Sequence, residues 1–296
     1  MTTTLLIGGS SYIGRPLHFR LQKTMDVIAT YSKTPVPKGI YFDALKTRLP
    51  DVIRPNDHIC QAIILAAHSN PKWCWRNKEE AHELNINATK KIIDDLIMLK
   101  IKPIFLSSEA VFGGPKMQPF VEDDLPCPQF LYGKQKAQIE KYLKVQKVFF
   151  LNIRLARVFG FTANDLTGLE DWIIALRSQK PIKCATDQIM SPISLADAIE
   201  GIATLVEKSA TGTFNLAGAR PIKRVELLSL LVDESKKNGI ASPIVQPCLL
   251  RDFTDEESRP LNSSMSINKV KEFTKYEPAS YEALCRATAK CFNREP

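Results

Sequence analysis

Long apolar runs are missing from this chain of 296 residues. Stretches such as Ile63-Ile64-Leu65-Ala66-Ala67 fall far short of the ~20 residues that span a bilayer, which excludes a transmembrane helix. Met1-Thr2-Thr3-Thr4 passes straight into Leu5-Leu6-Ile7-Gly8-Gly9 with no basic leader region or small-residue cleavage site, so a cytoplasmic protein is expected. Histidine is scarce: the four lie before residue 83, none at metal-ligand spacing from a cysteine or another histidine, and no metal site is expected. The seven cysteines form no C-x-x-C pair, and their odd, scattered distribution suits a reducing compartment rather than a disulfide framework. Basic clusters interleaved with aromatics are also absent. The net charge of +8 therefore points away from nucleic acid and toward a phosphate-bearing small molecule.

What is present is strand–helix alternation. Thr3–Ile7, Asp26–Tyr31, Cys60–Ala67, Ile101–Ser107 and Val148–Val158 read as strands, with helices over 14–23, 78–100 and 131–144 between them. In the long central helix Ala81, Leu84, Ala88, Ile92, Leu96 and Leu99 recur at helical spacing. Such alternation predicts right-handed βαβ units and a Rossmann-type, doubly wound parallel sheet. After about Gly160 the texture changes to helices over 169–179, 195–208, 223–237 and 281–293 with short strands at 213–216 and 244–249. The expected division is a dinucleotide-binding domain over 1–160 and a smaller α/β substrate lobe over 161–296, with some of its segments returning to the sheet.

The first strand runs into Gly8-Gly9-Ser10-Ser11-Tyr12-Ile13-Gly14 and then a helix. Glycines there let backbone approach a pyrophosphate, and the helix N-terminus offers unpaired N–H groups to its charge. At the end of the second strand, Tyr31-Ser32-Lys33-Thr34 contains no acid to accept adenosine ribose hydroxyls, which favours NADP over NAD; the plainer alternative makes Lys33 a solvated loop residue. Ser107-Ser108 end a buried strand, where ligands bind in open α/β sheets. Tyr132 and Lys136 follow, four apart and so on one helix face. An ammonium beside a phenol of pKa about 10 is expected to lower that value, making Tyr132 a proton carrier. Ser108 would donate to the same substrate oxygen.

These residues resemble the extended short-chain dehydrogenases, in particular the dTDP-4-dehydrorhamnose reductase-like branch, over nearly the whole chain. The glycine loop, Leu84-Asn85-Ile86-Asn87-Ala88-Thr89, Ser107-Ser108 through Val111-Phe112, and Tyr132-Gly-Lys-Gln-Lys136 each match a motif of that branch. So do Asp187-Gln188 with Ser191-Pro192 and Asp197, and Arg259-Pro260 with Asn262-Ser263. The resemblance implies that Ser108 and Tyr132 contact a keto oxygen and Lys136 the cofactor ribose. It further implies that Asp43 meets the adenine, that Ala66, Ala67 and Asn85 belong to the cofactor site, and that a homodimer forms. Ser11 departs from the family by replacing a loop glycine, as does Arg157 within Arg154-Leu-Ala-Arg157. The segment 68–75, with Trp73 and Trp75, is also unusual; it reshapes the substrate mouth, joins the core or forms a dimer contact.

Sugar 4,6-dehydratases place an Asp-Glu pair directly after the catalytic hydroxyl, where this chain has Glu109-Ala110. A single acid there matches the reductases. The expectation is NAD(P)H-dependent reduction of a keto group on a nucleotide sugar in polysaccharide biosynthesis, with Glu109 and Arg259 on the substrate side. Arg251 and Arg259 are candidates for the substrate pyrophosphate, against a solvated-loop reading of each. The alternatives are an epimerase and a non-catalytic dinucleotide-binding regulatory subunit.

Overall fold

The computed structural model describes residues 3–54, 57–161, 167–253 and 257–291. Its central element is a sheet of seven strands. Six are β1 (Thr3–Ile7), β2 (Asp26–Tyr31), β3 (Ile40–Tyr41), β4 (Ile59–Ile64), β5 (Lys102–Ser108) and β6 (Leu151–Leu155), and the last is Gly212–Leu216. The spatial order is β3-β2-β1-β4-β5-β6 followed by Gly212–Leu216, and the pairs from β3 through β5 are parallel. This is the Rossmann-type α/β fold. The order reverses between β1 and β4, and a doubly wound sheet opens its ligand crevice at that point, beyond the strand carboxyl ends.

The chain forms two compact units, one of residues Met1–Val111, Phe130–Arg154 and Ile199–Phe214, the other of Phe112–Gln129, Leu155–Ala198 and Asn215–Pro296. In the first, α1 (Gly14–Leu21), α2 (Pro71–Arg76), α3 (Lys78–His82), α4 (Thr89–Met98) and α5 (Leu131–Val145) connect the strands. Its core joins Leu5, Ile7, Ile64 and Phe105 of the sheet to Ile92, Leu96, Ile139 and Leu143 of the helices. Each such side chain contributes roughly 1.5–3 kcal/mol by leaving water.

The helix predicted over 78–100 is interrupted. Between α3 and α4 the segment Glu83–Ala88 is a π-helical turn, and it holds Asn85 buried. Pairing of β1 with β4 ends at Ile7 opposite Ile64, and one further bond joins the Leu65 N–H to the Ile7 carbonyl. The strand predicted to reach Ala67 therefore stops short, and Ala66, Ala67 and His68 form a turn at the crevice. Pattern reading also missed β3, α2 and the helix Asn268–Thr274.

The second unit is built from short strand pairs. Ile182–Ala185 runs parallel to Val245–Cys248, and Ile189–Met190 antiparallel to Ile222–Lys223. Helices Glu170–Ser178, Arg224–Lys237 and Tyr281–Cys291 supply Trp172, Leu176, Leu228, Leu231 and Tyr281 to its core.

Candidate active site

The glycine loop is shaped by contacts that exclude side chains. Gly8 has φ +93°, and a Cβ there would lie 3.1 Å from the Ala66 nitrogen. A Cβ on Gly14 would lie 2.4 Å from the Gly8 carbonyl oxygen, a distance no real side chain tolerates. Ser11, the departure from a glycine pattern, has a local use: its Oγ accepts the Gly14 N–H at 3.0 Å while its own N–H bonds the Gly8 carbonyl. Ser11 is not among the residues of positive φ, so glycine is not required there. Thr30 of β2 holds the loop from the other side, its Oγ1 accepting the Gly8 N–H and its carbonyl the Gly9 N–H.

Beside this loop lies a cleft of about 260 Å³ lined by Gly9, Arg15, His18, Pro35, Val36 and Pro37. Ser32 and Lys33, at the end of β2, are exposed. Arg15 was missed by sequence reading; a basic residue at the second position of the helix after a glycine loop was the available signal. Tyr31 packs edge-on to Tyr41 at 5.9 Å. Asp43 is tied locally, accepting the Leu45 N–H at 3.0 Å and facing Lys46 at 3.8 Å.

Across the crevice, Asn85 organises the turn after β4. Its Oδ1 accepts the His68 N–H at 2.8 Å, and its Nδ2 donates to the His68 carbonyl and to Gln135 Oε1. The Asn85 side chain thus ties the Ala66–His68 turn to α5. The His68 ring stacks on Trp73 at 3.7 Å. Trp73 in turn packs against a small cluster of Cys74, Ala81, Ala110 and Tyr132, while Trp75 lies under the Lys78 ammonium at 3.8 Å.

The structure brings Ser108, Tyr132 and Lys136 together. Ser108 ends β5, its Oγ accepting the Ala110 N–H at 3.2 Å and its hydroxyl bonding the Tyr132 phenol. Tyr132 and Lys136 are 8% and 6% exposed on one face of α5, with the ammonium 5.7 Å from the phenol ring centroid. Lys136 Nζ donates to the Leu106 carbonyl at 2.8 Å and lies over the Phe105 ring.

The electrostatics correct one expectation. An ammonium was to depress the phenol pKa, yet burial, reinforced by the Glu109 carboxylate, raises it well above the ordinary value. The Ser108 hydrogen bond opposes this more weakly. Burial also lowers Lys136 to about 8, against the pull of Glu140. A dry site penalises both charged forms, and that penalty exceeds the help one gives the other.

In the second unit, the segments around Gln188 and Pro260 meet. The Ile189 N–H bonds the Leu261 carbonyl at 2.7 Å, Gln188 Nε2 reaches the Pro260 carbonyl, and Ser191 Oγ accepts the Met265 N–H. Asn262, 1% exposed, donates to the Lys116 and Gln118 carbonyls. Arg157, Arg251 and Arg259 are exposed. Among the described residues no group of His, Cys, Asp and Glu is placed to hold a metal, and no helix is long and apolar enough to cross a membrane.

The crevice of the Rossmann-type sheet thus lies beside Ser108, Tyr132 and Lys136, the last two buried. The sequence profile described as the RmlD substrate binding domain matches residues 1–293, and the chain belongs to that family. It is 20% identical to the dTDP-4-dehydrorhamnose reductase of Aggregatibacter actinomycetemcomitans over 294 residues, covering 95% of this chain and 96% of that one. It is 22% identical to the methionine adenosyltransferase 2 subunit beta of Pongo abelii, covering 90% of this chain and 80% of that one. Its fold matches the crystal structure of dTDP-4-dehydrorhamnose reductase from Bacillus anthracis in complex with NADP, with TM-score 0.78 at 18% identity over 96% of this chain and 98% of that one.

Proposed function

We propose that the protein is an NADPH-dependent reductase of a keto group on a nucleotide-activated sugar. The observation that carries this reading is the hydrogen bond from half-buried Ser108 to the buried Tyr132 phenol, with Lys136 one helical turn away. The Gly8–Gly14 loop, in which backbone contacts leave no room for a Cβ at Gly14 and crowd one at Gly8, fits a pyrophosphate at the N-terminus of α1. Arg15 lines the cleft beside the loop and Lys33 is exposed at the end of β2, so both are available to a 2′-phosphate, which favours NADP over NAD. When bound, the reduced nicotinamide supplies the hydride.

The residues of the chain handle the oxygen. A phenol held neutral by burial is a proton donor at neutral pH, which is what a carbonyl becoming an alkoxide requires. Ser108 turns its hydrogen bond from the phenol to the substrate oxygen. Lys136 would hold the nicotinamide ribose, and its ammonium would stabilise the phenolate left after proton transfer. Glu109, beside the phenol, discourages early loss of its proton.

Similarity to an adenosyltransferase beta subunit favours a second reading, a dinucleotide-binding regulatory subunit. One variant separates the two. Tyr132→Phe in a reductase loses about 10²–10⁴ of its rate, the usual share of a positioned acid, while keeping NADPH affinity. A regulatory subunit would keep its function. Purified protein mixed with NADPH and a panel of 4-keto nucleotide sugars should consume the nicotinamide absorbance band; no loss across the panel overturns the reductase.

A further inference from the structure

Beneath the face of α5 that carries Tyr132 and Lys136 lies a pair of charges sealed from water. Arg154 of β6 is 0% exposed and the Glu140 side chain 1%. We propose that Glu140 and Arg154 are positioning residues that set where the Lys136 ammonium sits and how firmly it keeps its proton. The consequence for rate rests on the reductase reading above; the claim about the lysine does not.

The geometry supports this step by step. Residues 132, 136 and 140 are four apart and share one helix face. A carboxylate one turn beyond a buried ammonium would ordinarily capture it. Here both carboxylate oxygens are already engaged. Arg154 Nε lies 3.1 and 3.2 Å from them, Arg154 Nη2 donates to Oε2 at 2.8 Å, and Ser107 Oγ donates to Oε1 at 2.6 Å. Lys136 is left to donate to the Leu106 carbonyl at 2.8 Å, on the strand that ends in Ser108. The guanidinium therefore keeps the lysine from being drawn down the helix away from the phenol.

Glu140 acts on the lysine without touching it. The groups facing Lys136 are Tyr132 and Glu140 from its own helix, the Phe105 ring and Leu106 carbonyl from β5, and Cys74 from α2, with Arg154 behind Glu140. Burial lowers the lysine, and Glu140 is the larger of the two influences that oppose it. A bare carboxylate would capture the ammonium, and no carboxylate would discharge it. A carboxylate clamped by arginine leaves it charged near neutrality but unpaired.

The test reads the lysine directly. In protein carrying ¹³C-labelled lysine, the resonance lost in Lys136→Met identifies residue 136, and its titration midpoint is followed. The parent should titrate near 8. Glu140→Gln should titrate about one unit lower, the smaller end of the effect of a nearby opposite charge. Should Glu140→Gln fail to fold, Glu140→Gln/Arg154→Met leaves no orphan charge and should move the midpoint in the same direction. An unchanged midpoint in a folded variant overturns the proposal and leaves a purely structural ion pair. In turnover the alkaline loss of kcat/KM should move down with the midpoint, which a structural role would not do, since that would lower the rate equally at every pH. A midpoint that moves in a protein reducing no keto sugar would uphold the proposal and defeat the reductase reading instead.

Discussion

Arg154→Met tests how much of the first unit depends on one buried charge pair. The guanidinium is fully sealed and binds both oxygens of Glu140, whose side chain is almost as inaccessible. Methionine fills much of the volume but leaves Glu140 with Ser107 as its remaining bond from the ion-pair network. Removing one partner of a buried pair costs about 3–5 kcal/mol, because the survivor has lost its hydration and gained nothing. Against a domain stability of about 5–15 kcal/mol, that is a large share. The three tryptophans make the measurement selective. Trp73 and Trp75 lie in the first unit and Trp172 in the second, so a Trp172→Phe background lets urea unfolding followed by fluorescence report the first unit alone. Glu140→Gln and the double variant complete a cycle, in which the double should cost less than the two singles together. A lone buried carboxylate binds a proton more readily folded than unfolded, so the deficit of Arg154→Met against the parent should shrink as pH falls toward about 4. A cost under about 1 kcal/mol, typical of an exposed pair, would refute the argument.

Other predictions concern the cofactor crevice and the proton chemistry. Gly14→Ala pushes a Cβ onto the Gly8 carbonyl oxygen at 2.4 Å, so NADPH binding measured by fluorescence should be lost while far-ultraviolet dichroism is kept. Lys33→Glu sets a like charge beside a 2′-phosphate and should weaken NADPH at least about tenfold, or 1.4 kcal/mol, with little change for NADH; equal weakening of both would remove Lys33 from that role. Asn85→Ala leaves the His68 N–H without its acceptor, a loss of about 1–3 kcal/mol in chemical unfolding, and should raise the Kd for NADPH through a loosened turn. If the Lys136 ammonium is the working form, activity is full below its folded value and falls as pH rises through about 8, which a kcat/KM profile would show.

The strand–helix alternation was legible because β1, β2, β4 and β5 each carry a short apolar run (Leu5–Ile7, Val27–Ala29, Ala62–Ile64 and Ile104–Leu106), and the crevice follows once their order is known. The π turn at Glu83–Ala88 was not legible: an extra residue in one turn leaves local composition unchanged, and what rewards it is Asn85 meeting His68 and Gln135, contacts that span 17 and 50 residues. Tyr132 and Lys136 could be paired from spacing alone because one helix carries both. Glu140 and Arg154 could not. On paper they read like any surface charges, and only the neighbouring positions of α5, β5 and β6 bring them together with water excluded. The same cause explains the wrong sign expected for Tyr132. Spacing says which charges are near each other, and in water an ammonium near a phenol would lower its pKa. Here the phenol is 8% exposed, and the cost of creating an anion in that interior outweighs what a neighbouring ammonium can offset. The phenol is accordingly poised to give a proton rather than take one. A phenol kept protonated suits the proton-donating step of the proposed reduction, and it is kept so by the fold enclosing the helix face rather than by the residues that face carries.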